Sequence, residues 1–363
     1  MHIEKILEGA FRVGASDVHM IPGEKPVFRV HGDLRRLNEQ TLTVEEVQEA
    51  VNHILPSHLR PALEEFRGVD FSYQLGDRIR FRCVAFYEKE VLGLALRVIP
   101  VKIPTIDELE FPPVIKDIAL YERGMVLVTG ITGSGKSTTL ASMIDHLNKT
   151  EACRVITIED PIEYVYTPAK CVISQREVGK DIPDFSGGLR QALRMDPDVI
   201  LIGEMRDVET IRTSIKAAET GHLVFSTLHT TNAIHTVQRI ISHFPDAEQD
   251  LIREQLSLNL RASITQRLVR RADGKGRIAA MEILVVNQVA AKLIRENRIA
   301  DVLSCMKGRD EGMQIFDQAL ADLVRANKMT LDEGKRHCDD FYAYRRYIQG
   351  VASSGEKGGI FGT

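Results

Sequence analysis

The spacing of apolar positions changes along this 363-residue chain, and each change predicts a different kind of structure. From Ile3 to Phe11 they recur at the three- and four-residue intervals of an amphipathic helix. Around Arg29 to Val30, and over Phe71 to Leu75, Arg80 to Tyr87 and Val91 to Val98, apolar and polar residues partly alternate, as in half-buried strands. Thr43-Val-Glu-Glu46 reads as a capping box opening a helix to about Leu55, because hydroxyl and carboxylate can each bond the other residue's N–H. Residues 1–100 are therefore expected to form a small α+β domain. Pro100, Pro104, Pro112 and Pro113 then cluster, which marks 101–113 as a linker.

From Gly124 the texture differs. The runs MVLVTG, RVITIED, VISQREVG, DVILIGE and HLVFSTLHT are apolar almost throughout and alternate with helical stretches beginning at Lys136, near Leu189 and at Val208. Such strands predict a sheet buried on both faces, the doubly wound α/β class, in which ligands sit at the carboxyl ends of strands. Beyond Pro245 the pattern is mainly helical, with a two-strand signal around Leu268 to Val285. A nucleotide-binding domain over 114–350 and a Gly/Ser-rich flexible tail over 351–363 complete the expected order.

Composition narrows the classes of function. Lys+Arg 47 against Asp+Glu 51 gives a net charge of −4, so no nucleic-acid partner is expected. Cys83, Cys153, Cys171, Cys305 and Cys338 are scattered and never spaced C-x-x-C, which excludes a disulfide scaffold and a structural zinc site and fits a reducing cytoplasm. The first residues carry Glu4 and Glu8 and lack a long apolar core, so no signal peptide is expected; no apolar run is long enough for a membrane span.

Gly130-Ile-Thr-Gly-Ser-Gly135-Lys136-Ser137 matches G-x-x-x-x-G-K-[ST] between an apolar strand and a helix, the context this motif needs; the alternative is a chance match in a glycine-rich turn. Gly130, Thr132, Gly133, Ser134, Gly135, Lys136, Ser137 and Thr138 are thus candidate nucleotide ligands: backbone N–H groups turn toward phosphates, Lys136 adds a point charge and Ser137 can ligate Mg²⁺. Hydrolysis further needs a polarised water and charge stabilisation at the γ-phosphate. Glu159-Asp160-Pro161-Ile162-Glu163 closes one strand. Glu204 closes another after Gly203, where an Asp more often stands, so its contact with Mg²⁺ would run through water. Either acid could instead be a solvated strand-end charge or a helix cap. His229 leaves a third strand at its carboxyl end, where it could sense the γ-phosphate; His222 enters from the opposite end. Arg80 and Arg82 share one strand face and Arg97 sits on the next strand, which makes either a solvated row or arginine fingers for a neighbouring subunit. The basic cluster Arg267, Arg270, Arg271, Lys275 and Arg277 lacks interleaved aromatics and reads as a solvated hairpin or subunit contact.

In order, ITGSGKSTT, EDPIE, DPDVILIGEMRD and TGHLVFSTLHT resemble the Walker A, Asp-box, atypical Walker B and His-box motifs of the secretion ATPase superfamily of type II secretion and type IV pilus motors. The resemblance is nearest to its pilus-retraction branch and runs from Gly14-Ala-Ser-Asp-Val-His19 to the segment Gly312 to Leu323. It implies an ATP- and Mg²⁺-dependent homohexameric ring ATPase, with an N-terminal PAS-like and a C-terminal RecA-like domain joined by a flexible linker. It further implies rotation between domains, passed to an inner-membrane pilus platform protein from the cytoplasmic side of the pilus base. By resemblance Glu163 activates water, Glu204 is the Walker B acid, His222 and His229 are the His-box pair, and Arg82 and Arg97 occupy finger positions. Assembly ATPases of the superfamily usually carry a long extra N-terminal domain and a four-cysteine insertion, whereas here Gly14-Ala-Ser-Asp lies near the start of the sequence and no C-x-x-C occurs, so retraction rather than extension is expected. Ala290-Ala-Lys-Leu-Ile-Arg295 departs from the AIRxLI-type motif of retraction ATPases by one residue and by loss of the Ile-Arg pair. An assembly or accessory paralogue, a slowly hydrolysing nucleotide-gated regulator and a ring helicase are the competing expectations.

Overall fold

A computed structural model describes residues 3–30, 32–38, 40–76, 79–99 and 102–350. The chain divides into two compact units, Met1–Lys102 and Ile103–Thr363. The flexible tail expected over 351–363 lies outside the described residues, as does Val101 of the expected linker.

The first unit builds one sheet from β1 (Ala15–Met20), β2 (Val27–Val30), β3 (Asp33–Arg36), β4 (Gly68–Leu75), β5 (Ile79–Glu88) and β6 (Val91–Ile99). Their order is β3-β2-β1-β6-β5-β4, with every neighbour antiparallel. Helices α1 (Ile3–Arg12), α2 (Val44–Ile54) and α3 (Arg60–Phe66) complete the unit. Ile79, Phe81, Cys83 and Ala85 alternate into a core with Leu7, Val18, Met20, Val51 and Leu94, so the intervening Arg80 and Arg82 stand on the other face of β5. The capping box forms as its residues predict: Glu46 N–H donates to Thr43 Oγ1 at 3.2 Å and Thr43 N–H to a Glu46 oxygen at 3.0 Å. β3 carries no sequence signal because all of its residues are exposed and nothing forces alternation.

The second unit contains β7 (Gly124–Thr129), β8 (Arg154–Glu159), β9 (Val172–Glu177), β10 (Val199–Ile202), β11 (Leu223–Leu228), β12 (Leu260–Arg270) and β13 (Arg277–Val285) in the order β13-β12-β7-β11-β10-β8-β9. All pairs are parallel except the β12–β13 hairpin. Every residue of β7, β10 and β11 is buried, so both faces of the central sheet are covered, which is what their unbroken apolar runs demand. The helices are α4 (Val114–Ala119), α5 (Lys136–Thr150), α6 (Phe185–Ala192), α7 (Val208–Glu219), α8 (Ala233–Ser242), α9 (Asp246–Asn259), α10 (Gln288–Arg295), α11 (Val302–Lys307), α12 (Phe316–Arg325), α13 (Leu331–His337) and α14 (Phe341–Ile348).

Two expectations change. The two-strand signal after Pro245 was read from Leu268, but β12 begins at Leu260 and joins the main sheet beside β7. Its buried Ser263, Thr265 and Gln266 interrupt the apolar run that would have revealed it. The linker read over 101–113 also shrinks, because residues 103–113 belong to the second unit. Ile106 is buried in that unit's core, and Glu110 is held by Arg271 and Lys328, whose cations keep its carboxyl below the usual range.

Candidate active site

Parallel pairing places the carboxyl ends of β7, β11, β10 and β8 along one edge of the second unit's sheet. Thr129 lies opposite Leu228, and Ile202 opposite both Ser226 and Ile158. The glycine-rich loop, His229, Gly203 and Asp160 therefore all leave the sheet on the same side.

The loop itself has the backbone the motif requires. Gly130, Gly133 and Gly135 have φ of 140°, 78° and 92°, a region that residues with a Cβ adopt at a cost. A Cβ at Gly130 would stand 2.6 Å from the Gln266 carbonyl oxygen, so contact with β12 excludes a side chain there independently. Gly135 is the N-cap of α5 and supplies no side-chain cap, which leaves the first-turn N–H groups of a 15-residue helix without a side-chain acceptor. Uncapped donors at the positive end of a helix dipole form an anion site, and the residues present fit a nucleotide's phosphates. Lys136 Nζ donates to the carbonyls of Gly130 and Ile131 at 3.0 and 3.2 Å, so its charge is folded over the loop. Burial lowers the Lys136 pKa, and the negative charges of Glu204 and Glu163 oppose that shift.

Those charges mark the other half of the site. Glu204 is a largely buried carboxylate held from two sides, by Arg206 at 2.8 Å and by His229 Nε2 at 3.3 Å. The bond to Glu204 raises the Arg206 pKa further. Glycine stands before this acid for a packing reason. The Gly203 N–H bonds the Ile158 carbonyl at 2.8 Å, and a Cβ at 203 would press on the β8 backbone at 3.3 and 3.4 Å. Glu163 is exposed on the loop after β8, and its N–H bonds the buried Glu159 carboxylate, whose pKa burial raises. Glu159 also accepts from Thr157 at 2.6 Å and Gln175 at 3.2 Å. Tyr164, next to Glu163, meets the Thr138 hydroxyl at 2.9 Å and so ties the acidic loop to the first turn of α5.

Lys136, Glu163, Glu204 and His229 are thus brought together, with Thr138 attached through Tyr164. His222 is not, and its assignment as a nucleotide ligand is corrected for this chain's own loop. It sits before β11, roughly 20 Å from His229 at about 3.3 Å per residue, and its Nδ1 donates to the Ala217 carbonyl at 2.9 Å. There it finishes the carboxyl end of α7. Arg82 and Arg97 face each other directly across β5 and β6 in the first unit. Asp70, 3.4 Å from Arg82, and Asp17, 2.9 Å from Arg97, relieve the like-charge pairing. In the basic cluster Arg267 stacks over Phe316 and bonds Asp339 at 2.9 Å, while Arg271 bonds Glu110 at 2.6 Å.

Sequence reasoning missed the layer behind the loop. Thr129 Oγ1 lies 2.7 Å from Thr265 Oγ1, and Thr236 Oγ1 reaches Thr129 at 3.5 Å and Thr230 at 2.6 Å. This buried hydroxyl chain joins the residue before Gly130 to the residue after His229. Its only sequence signal is threonine at positions where neighbouring residues are apolar.

Fold, loop and gathered charges together define a nucleotide-binding P-loop protein. The model of the type II/IV secretion system protein family matches residues 1–346, and the chain belongs to that family. It is similar to the type IV pilus retraction ATPase PilT of Pseudomonas aeruginosa, 46% identical over 325 residues, 89% of this chain and 94% of the relative. A twitching motility protein of Neisseria gonorrhoeae is 46% identical over 316 residues, 87% of this chain and 84% of the relative. Among solved structures, the pilus retraction motor PilT with bound ADP superposes with a TM-score of 0.89 at 42% identity, covering 95% of this chain and 99% of that one.

Proposed function

We propose that this chain is an ATPase that powers type IV pilus retraction and hence twitching motility. The observation that carries this reading is the convergence of Lys136, Glu163, Glu204 and His229 on an uncapped phosphate loop, in a chain 46% identical to a pilus retraction ATPase. Loop N–H groups and Lys136 hold the phosphates, and Glu163, exposed on the loop after β8 and near enough for its charge to act on Lys136, takes the proton of the attacking water. Glu204 and His229 act as one hydrogen-bonded unit that orients that water and registers the γ-phosphate. Mg²⁺, when bound with ATP, would neutralise developing charge on the phosphates; Ser137 would ligate it, and Glu204, both of whose oxygens are engaged, would reach it through water.

Further parts of the reading extend to the assembly. The first unit is taken as a PAS-like domain and the second as a RecA-like ATPase domain, joined by a short hinge near residue 102 and working as a homohexamer. Arg82 and Arg97 are then the groups that complete the site when nucleotide is bound. Rotation between the units is passed to an inner-membrane platform protein, with the motor on the cytoplasmic side of the pilus base. Among the described residues no helix is long and apolar enough to cross a membrane, so attachment would be peripheral. Counting surface pili tests direction of force: cells lacking the gene, and cells carrying only Lys136→Ala, should show excess pili and no twitching, whereas bald cells would replace retraction by assembly.

A further inference from the structure

Gln266, in the middle of β12, has 1% of its surface exposed, and its side-chain amide is divided between two parts of the phosphate loop and its helix. Nε2 donates to the Ser134 carbonyl at 2.6 Å, and Oε1 accepts from the Thr139 hydroxyl at 2.8 Å. Its Nε2 would also stand 3.0 Å from a Cβ at Gly135, so the amide lies hard against the end of the loop. Burying an amide is costly unless both ends are paired, and here both partners come from the same functional segment. A branched apolar residue would serve the sheet equally well; the loop needs the amide.

We propose that Gln266 is a positioning residue for phosphate binding. The carbonyl of Ser134 and the N–H of Gly135 belong to one trans peptide and point in opposite directions. Anchoring that carbonyl on Gln266 therefore aims the Gly135 N–H away from β12 and into the loop. The second bond, to Thr139, fixes the first turn of α5, whose N–H groups are the remaining donors. Gln266 touches neither nucleotide nor water in this role; it acts through Ser134 and Thr139. The inference rests on the nucleotide-binding reading of this loop and deepens it.

The chemistry demands a donor on one side of the group and an acceptor on the other. Ionised glutamate supplies two acceptors and would set a carboxylate against the Ser134 carbonyl, whereas protonated glutamate restores the donor. Methionine fills the volume and supplies neither. Equilibrium titration of the full chain with a fluorescent ADP analogue, from pH 5.5 to 8.5, reads this directly. Gln266→Glu should bind on the order of 10-fold more weakly than wild type at pH 8.5 and recover toward wild type as pH falls. Gln266→Met should bind on the order of 10-fold more weakly at every pH. Wild-type affinity in both variants, or a loss in Gln266→Glu that does not change with pH, would overturn the proposal. If Gln266→Glu fails to fold, judged by its melting temperature, Thr139→Val removes one of the two bonds and should weaken binding several-fold; unchanged affinity there is equally fatal. Lys136→Ala, titrated alongside, separates the two readings: its binding as tightly as wild type would overturn the nucleotide site itself, and this inference with it.

Discussion

Replacing Glu282 by glutamine should change how the stability of this protein depends on pH. Glu282 is 3% exposed on β13, and its Oε1 accepts the Ala233 N–H at the start of α8 at 2.7 Å. Burial pushes its pKa from 4.5 to about 7; the Ala233 bond opposes that rise, the Asp339 charge adds to it, and Arg267 and the Phe316 N–H oppose it. Because the folded-state value is the higher one, the folded chain holds a proton between pH 4.5 and about 7 that the unfolded chain releases. Stability from this group is therefore greatest below pH 4.5, is lost as pH rises toward 7, and is flat above that. The displacement corresponds to about 3 kcal/mol across the window, at about 1.4 kcal/mol per pH unit. Glutamine keeps an acceptor for the Ala233 N–H and does not titrate, so Glu282→Gln should gain on wild type by up to about 3 kcal/mol between pH 4.5 and 7.5. Urea midpoints measured across that range read the difference. Parallel pH profiles for the two proteins would show that Glu282 is ionised at no such cost and would refute the reasoning.

Three further outcomes follow from the site and sheet. Lys136→Ala should abolish ATP turnover in purified protein while leaving the melting temperature near wild type, since its ammonium bonds the Gly130 and Ile131 carbonyls of its own loop rather than tying distant elements together; retained turnover would remove the phosphate-loop assignment. Arg97→Ala should leave ADP affinity within a few-fold and cut hydrolysis by about 10³ or more if that arginine is a finger, and unchanged hydrolysis would return it to a solvated surface role. Gly203→Ala should destabilise the second unit by about 1–3 kcal/mol in denaturant melts, because its Cβ meets the β8 backbone at 3.3 and 3.4 Å.

How much of this was legible beforehand depended on where each residue's partners lie in the chain. β7, β10 and β11 declare themselves because burial on both faces permits only apolar side chains, and α2 declares its start because Thr43 and Glu46 cap each other locally. The phosphate loop is readable for the same reason: its glycines, lysine and helix are contiguous. β3 is silent because it is wholly exposed, and the start of β12 is hidden because the buried polar residues Ser263, Thr265 and Gln266 break its apolar run. Gln266 lies 132 residues from Ser134, and no local pattern pairs them. His222 misleads for the opposite reason: it neighbours a functional motif in sequence, yet a strand's length separates it from the site, and α7 uses it instead.

The most direct test of the account is to watch fluorescently labelled pili on living cells whose only copy of this gene carries Lys136→Ala. If ATP bound at this loop drives retraction, pili should extend and then fail to shorten. Pili that retract at the wild-type frequency and speed would contradict the account at its centre.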